Sequence, residues 1–251
     1  MPDIPYCGAP PLPGAVAWNL DPLLIAVLGI GGYMLLRRAR GAPAGLAWLG
    51  WAVLLTALIS PLCNLSVALF SARVGQHMML TLVAAPLIAW GATASRSGVG
   101  EGPGLVAPAA AFALALWVWH MPGPYAATFR SDVTYWAMHA TLFGTALWFW
   151  AALRLRAVSR PDAAALAALA SAVQMGLLGA LITLAPRPLF LAAHEPGVTA
   201  PWGLSPLEDQ QLGGLLMWVP GGLIFAAVCV AGLALVLRGR ADPALPLPPA
   251  A

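Results

Sequence analysis

Most of the chemistry open to this chain rests on a few side chains. There are four histidines, eight methionines and three cysteines among 251 residues. His77 sits in "GQHMML", His120 in "WVWHMPGPY", His139 in "YWAMHATLF" and His194 in "AAHEP". Met78, Met79, Met121 and Met138 each lie within two residues of one of the first three histidines, and Asp209 opens the stretch "DQQLGG". Imidazole, thioether and thiolate are ligands that suit copper, with the soft sulfurs selecting Cu(I). Cys7 and Cys63 admit two readings, a structural disulfide in an oxidising compartment or a pair of copper ligands. Each group also has a plainer use: an imidazole near a helix end hydrogen-bonds a carbonyl or a headgroup, and a methionine fills irregular gaps in a core. For His194, in a loop, the plainer use fits best.

The solvent these groups meet follows from composition. Hydrophobic residues make up 61% of the chain and charged residues 8%, with a mean hydropathy of +0.83, far from the roughly 25% charged residues of soluble domains. An integral membrane protein is expected. The net charge of +3 comes from twelve arginines without a single lysine, and these do not gather on a water-exposed domain, so a nucleic-acid partner is not expected. The opening "MPDIPYCGAPPLPGAVAWNLDP" lacks the basic stretch and cleavage pattern of a signal peptide, and the first apolar stretch reads as a retained membrane helix. No nucleotide-binding loop, nucleophile elbow or metalloprotease motif is present, and a non-enzyme is expected.

Crossing a hydrocarbon core about 30 Å thick takes about 20 mostly apolar residues. Seven stretches qualify, near Pro22 to Leu36, Leu46 to Leu62, Ser71 to Ala92, Leu105 to Met121, Val133 to Leu153, Ala163 to Ala185 and Pro206 to Leu237. The expected fold is therefore all-α, a bundle of about seven transmembrane helices. Residues 1–21 form an outer tail, 22–238 the helical domain and 239–251 a disordered inner tail. Ser205-Pro206-Leu207-Glu208 predicts a capped start for the last span, and Ser159-Arg160-Pro161-Asp162 a similar one for the sixth. Pro122 and Pro124 close the fourth.

Positive residues mark the cytoplasmic side of short connections. Arg37, Arg38, Arg40, Arg96, Arg154, Arg156, Arg160, Arg238 and Arg240 fall on one side, and Arg73, Arg130 and Arg187 on the other, which puts the amino terminus outside and the carboxyl terminus in the cytoplasm. All four histidines then share the outer half. Tyr135, His139 and Phe143 follow an i, i+4 ladder, as do Arg73 with His77, and Asp209 with Gly213 and Met217. Ionisable groups inside a membrane face the bundle or a wet cavity, so His77, His139 and Asp209 are expected to converge, with His120 at the rim. Cys229 lies about 30 Å of helix rise from Asp209 and reads as an inert core thiol.

Five segments occurring in order, "SARVGQHMMLTLVAAPLIAWGA", "WVWHMPGPY", "HATLFGTALWFW", "ALITLAPRPLF" and "LSPLEDQQLGGLLMWVPGGLIF", resemble the multi-spanning CtaG family of bacterial cytochrome c oxidase assembly factors over roughly residues 60 to 226. The resemblance implies a seven-helix protein of the bacterial inner membrane, acting in supply of copper to the CuB centre of a haem-copper oxidase. Its site residues carry over as His77 after Gln76, Trp119-His120 with Pro122, His139, and Asp209-Gln210. Arg73 and Val74 stand where the family usually has a His-Met pair, and Met138 stands where it often has glutamate.

The expected function is thus a metallochaperone-like assembly factor whose copper site is built from His77, His120 and His139, with Asp209 as a fourth or supporting ligand and Met138 as a replacement donor. Expected partners are haem-copper oxidase subunits, a periplasmic copper chaperone and the lipid bilayer. Two alternatives use the same residues: a membrane electron carrier with histidines on a b-type haem, or a metal-free scaffold or accessory subunit of an oxidase.

Overall fold

The computed structural model describes residues 4–39, 43–93, 104–157 and 159–241. Among them every regular element is helical. Helix α1 spans Pro22–Arg38, α2 Ala44–Ile59, α3 Pro61–Ala68 and α4 Phe70–Met78. A π-helical segment, Met79–Ala84, joins α4 to α5, Ala85–Thr93. Next come α6, Val106–Trp119, the short α7, Pro122–Ala127, and the long α8, Asp132–Arg156. Helix α9 spans Pro161–Thr183, α10 Pro196–Thr199 and α11 Pro206–Ala241, with a 3-10 turn at Ala200–Trp202.

Three of these are long and apolar enough to cross a membrane: the continuous α4-π-α5 unit Phe70–Thr93, α9, and α11 over Pro206–Arg238. A fourth is added if α2 and α3 count as one span bent by 49°. That break was not anticipated in the second span, and its cause is local: Ser60 is extended, its hydroxyl accepts from the Leu62 N–H, and Pro61 starts a new helix because it has no N–H to continue the old one. Helices α1 and α6 are apolar but shorter. The outward faces of α1, α9 and α11 carry Leu23, Ile30, Leu166, Val173, Leu223 and Val230 uncovered, a surface suited to hydrocarbon.

The expected caps divide. Ser205 and Glu208 form the reciprocal pair, with the Ser205 N–H donating to Glu208 Oε2 at 2.8 Å and the Glu208 N–H donating to Ser205 Oγ at 3.3 Å. Ser159 does not cap α9. Arg160 occupies that position without a side-chain bond, and instead pairs with Asp162 at 2.9 Å. The expected disordered tail lies outside the described residues from 242 onward, as do Arg40 and Arg96, and α11 continues past the expected boundary at 238 to Ala241.

Packing places α11 along α9 and across α4, with α8 against α5 and α6. The α9–α11 contact is close because Gly179 and Gly214 face each other: a Cβ on Gly179 would meet the Gly214 carbonyl at 2.9 Å, and one on Gly214 would meet the Gly179 carbonyl at 2.8 Å. The segment before α1 folds back over the end of the bundle. Asn64 holds it by donating to the carbonyls of Cys7 and Ala9 at 2.9 and 3.0 Å and accepting from the Ala17 N–H at 3.0 Å. Trp202 adds a bond to the Pro11 carbonyl at 3.1 Å.

Candidate metal centre

His77 ends α4 one residue before its last position, where the backbone turns into the π-helical segment. Such insertions re-aim side chains and recur at functional sites. The distorted turn is stabilised from outside: the Thr81 hydroxyl donates to the His77 carbonyl at 2.7 Å, and the Trp150 indole donates to the Thr81 carbonyl at 2.8 Å. His139 projects from the second turn of α8. His120 caps the end of α6, where Pro122 begins α7. The three rings meet inside the bundle, with His77 in the middle. Its centroid lies 5.3 Å from that of His139 and 5.9 Å from that of His120, both edge to face, and all three residues are at most 5% exposed.

Their hydrogen bonds fix which nitrogens are free. His139 Nδ1 faces the Tyr135 carbonyl at 3.1 Å and His120 Nδ1 the Leu116 carbonyl at 2.7 Å. A carbonyl only accepts, so in the neutral rings Nδ1 carries the proton and Nε2 the lone pair, the state a metal ligand needs. His139 Nε2 and both nitrogens of His77 are buried without a partner among the described residues. Leaving a buried polar group unpaired costs about 1–3 kcal/mol. The donor chemistry fits Cu(I), while the geometry is a set of neighbouring rings: among the described residues no three His, Cys, Asp or Glu side chains already stand within reach of one ion. Rotation about the broad terminal torsion of an imidazole is the movement that would bring them to one.

The other expected site residues lie elsewhere. Asp209 is fully buried, but both its oxygens are engaged by the N-terminus of α4: it accepts from the N–H of Phe70 at 2.6 Å and from the N–H and hydroxyl of Ser71 at 3.0 and 2.5 Å. It thus caps, from α11, the helix that carries His77 seven residues later, about 10 Å of rise away. Gly213, one turn on, leaves the space that the Phe70 ring fills. Gln210 is a second staple, donating to the Ile182 carbonyl at 3.0 Å and accepting from the Leu189 N–H at 2.5 Å. His194 is satisfied at both nitrogens, by the Ala68 carbonyl at 3.1 Å and the Tyr125 hydroxyl at 2.7 Å, as the plainer reading of it holds. Of the methionines, Met138 is fully buried beside His139 in sequence, Met121 is exposed, and the Met78 methyl lies in the packing around Gly221.

Three features lay beyond the sequence reading. Arg73, one turn before His77, is 1% exposed. It donates to the Ser66 carbonyl at 3.3 Å and the Thr128 hydroxyl at 2.8 Å, and its guanidinium stands 4.2 Å from the Phe129 ring centroid, 5.5 Å from that of Tyr125 and 5.6 Å from that of Tyr135. Such an aromatic cage stabilises a desolvated cation. Second, Cys7 and Cys63 are joined in a disulfide, the first of the two readings of that pair, and the sequence did not indicate that both sulfurs meet the Tyr135 hydroxyl. Third, Tyr6, Tyr135 and His139 form a continuous stack, with centroid separations of 4.8 and 4.2 Å, running from the folded-back segment to the histidines.

No curated protein and no solved structure matches this chain. A family model does, over residues 30–98 and 104–238, and its description is cytochrome c oxidase caa3 assembly factor (Caa3_CtaG). The match takes in both the converged histidines and the Asp209-Gln210 staples, and it spans most of the sequence: the chain belongs to the cytochrome c oxidase caa3 assembly factor family.

Proposed function

We propose that this assembly factor holds Cu(I) between His77, His120 and His139 and passes it to the CuB centre of a haem-copper oxidase from the outer side of the bacterial inner membrane. The protein in this reading crosses the bilayer seven times, counting α1, the bent α2–α3 pair, the α4–α5 unit, α6, α8, α9 and α11, with its amino terminus periplasmic and its carboxyl terminus cytoplasmic. The observation that carries the proposal is His77, buried between two further imidazoles with neither nitrogen partnered. Membership of a cytochrome c oxidase assembly family supports taking the oxidase as the recipient. A soluble periplasmic copper carrier would be the donor.

Transfer of this kind is ligand exchange and needs no covalent catalysis, so the role is not enzymatic. Rings that bind through one nitrogen each, without a closed cage around them, release a metal readily to a better-formed site. Asp209 serves the centre by anchoring α4, and Met138, fully buried and next to His139 in sequence, would be the replacement donor. The edge-to-face contact of His77 with both neighbours leaves no slot for a porphyrin between them, which weighs against a haem carrier.

The test is anaerobic Cu(I) titration of the full chain in detergent, in competition with a chromophoric Cu(I) chelator. His77→Ala and His139→Ala should each lower affinity at least tenfold, a loss of about 1.4 kcal/mol or more. Stoichiometric binding that neither change disturbs would remove this site, and no stoichiometric binding at all would leave the metal-free scaffold.

A further inference from the structure

The folded-back segment brings a pair of sulfurs against Tyr135, the aromatic neighbour of His139. Cys63 is fully buried at the start of α3, and Cys7 arrives from the segment before α1, with 5.5 Å between the two Cα atoms. Both sulfurs lie within hydrogen-bonding distance of one hydroxyl, that of Tyr135, at 3.2 and 3.5 Å, and the Asn19 amide donates toward Cys63 Sγ at 3.4 Å. Tyr135 in turn carries His139 on its ring face and holds its Nδ1 proton through its carbonyl. On the other side, Cys7, Tyr6, Asn19 and Asn64 line an open cleft of about 540 Å³. The sulfurs therefore stand between a solvent-reachable cleft and the imidazoles, separated from the latter by a single aromatic side chain.

We propose that the Cys7–Cys63 pair, once reduced, is a Cu(I) receiving station for the histidine cluster, and that its disulfide form is the closed state of that station. The proposal rests on the copper reading of the histidines. Opening is thiol–disulfide exchange with an external dithiol: the Cys7–Cys63 bond breaks, the dithiol forms its own disulfide, and two electrons and two protons pass to the protein sulfurs. Cu(I) then displaces both thiol protons to solvent and forms two Cu–S bonds without a change of oxidation state, since the thiolate is the ligand. The Tyr135 hydroxyl and Asn19 amide are donors already aimed at the sulfurs and would stabilise that charge. Handing the ion on to His139 and His77 returns the two protons to sulfur. Reduction also unties Cys7 from α3, so the segment bearing Tyr6 becomes free to lift from the stack.

The experiment compares four samples of the full chain in detergent, titrated anaerobically with Cu(I) alone: oxidised protein, protein reduced with a dithiol that is then removed, reduced protein alkylated at its thiols, and reduced His77→Ala/His139→Ala. Copper stoichiometry and the ultraviolet sulfur-to-copper charge-transfer band are read together. Reduced protein should bind an additional equivalent over oxidised protein, with the band present; alkylation should abolish both, and the histidine variant should keep the band-bearing equivalent while losing the other. Equal stoichiometry and no band in reduced and oxidised protein would overturn the station and leave the histidine reading standing. A band-bearing equivalent alongside unaltered binding in the histidine variant would instead sink the histidine reading. Cys7→Ser/Cys63→Ser, folded as judged by its circular dichroism, should behave like the alkylated sample; a surviving band in it assigns the sulfur signal to another residue and overturns the proposal.

Discussion

Arg73 carries a fixed positive charge into the interior one helical turn from His77, balanced by aromatic faces and neutral oxygens. Its position suits a site for a monovalent ion, because the repulsion a fixed charge exerts on Cu(II) or Zn(II) is twice that on Cu(I) at equal distance. Arg73→Gln should therefore raise affinity for divalent ions more than for Cu(I), and should lower stability by about 2–3 kcal/mol through the acceptors it abandons; Arg73→Lys should recover little, lacking the planar fork that stacks in the cage. Parallel titrations with both copper states and thermal unfolding in detergent check the two effects. From the sequence, Arg73 reads as an outer-side cation on the His77 face of the third span and as a departure from the family pattern. Its partners explain why: Tyr125, Thr128 and Phe129 come from or just after α7, inside what reads only as a proline-broken connection. The clamp at Asp21 works at the same scale. The Tyr6 hydroxyl donates to Asp21 Oδ2 at 2.5 Å, and that bond, then the Leu23 N–H, holds the Asp21 carboxyl below its ordinary range, while burial and then Asp21 push the Tyr6 phenol up. A depressed carboxyl contributes stability above its unfolded value, about 3.9, and loses it as pH falls through the folded value. The segment should stay clamped from pH 8 to pH 5 and loosen only in stronger acid. Asp21→Asn should loosen it at pH 7, seen as faster phosphine reduction of the Cys7–Cys63 disulfide; an unchanged rate would mean the clamp does not guard the bond.

Among the elements, α4 shows how a helix is set by what holds its two ends. Asp209 caps its start from α11, and the π-helical turn re-aims its end, so that His77 faces His139 and His120. The i, i+4 ladders and the shared outer placement of the histidines made their convergence legible, because helical spacing survives any moderate error in helix ends. The role of Asp209 was not legible, since periodicity places a residue on a face without saying which backbone donors wait there. The break at Ser60-Pro61 had a written signal in its proline, yet an apolar run across it reads as continuous. Helices α9 and α11 test the packing independently of copper. Gly214→Ala forces a methyl onto the Gly179 carbonyl and should destabilise by about 1–3 kcal/mol, whereas Gly222→Ala, with open space around it, should be neutral or slightly stabilising. Equal thermal midpoints for the two variants would contradict the close α9–α11 contact.

For the molecule as a whole, the apolar composition and arginine asymmetry are what support the proposed seven crossings, while three helices, or four spans with the bent α2–α3 pair, are long and apolar enough to cross a membrane. The other expected spans fall short of that test by themselves: α1 and α6 are short, the second span is bent, and α8, 25 residues long with polar and charged side chains along it, does not count among the candidate spans. Sidedness is testable with a membrane-impermeant thiol reagent on spheroplasts carrying Arg130→Cys or Ser159→Cys in a Cys229→Ser background. The first should label and the second should not; the reverse pattern would invert the protein and put its copper chemistry in the cytoplasm. The disulfide lay open in the sequence because the fold of residues 4–21 over α3 follows from Asn64 and Trp202 bonds, which leave no period to read. The most direct measurement is the copper K-edge X-ray absorption spectrum of disulfide-intact protein loaded anaerobically with one equivalent of Cu(I). Imidazole scattering from two or three rings, diminished in His77→Ala, is the expected result. A spectrum dominated by sulfur, or one that His77→Ala leaves unchanged, would contradict a histidine-held cargo.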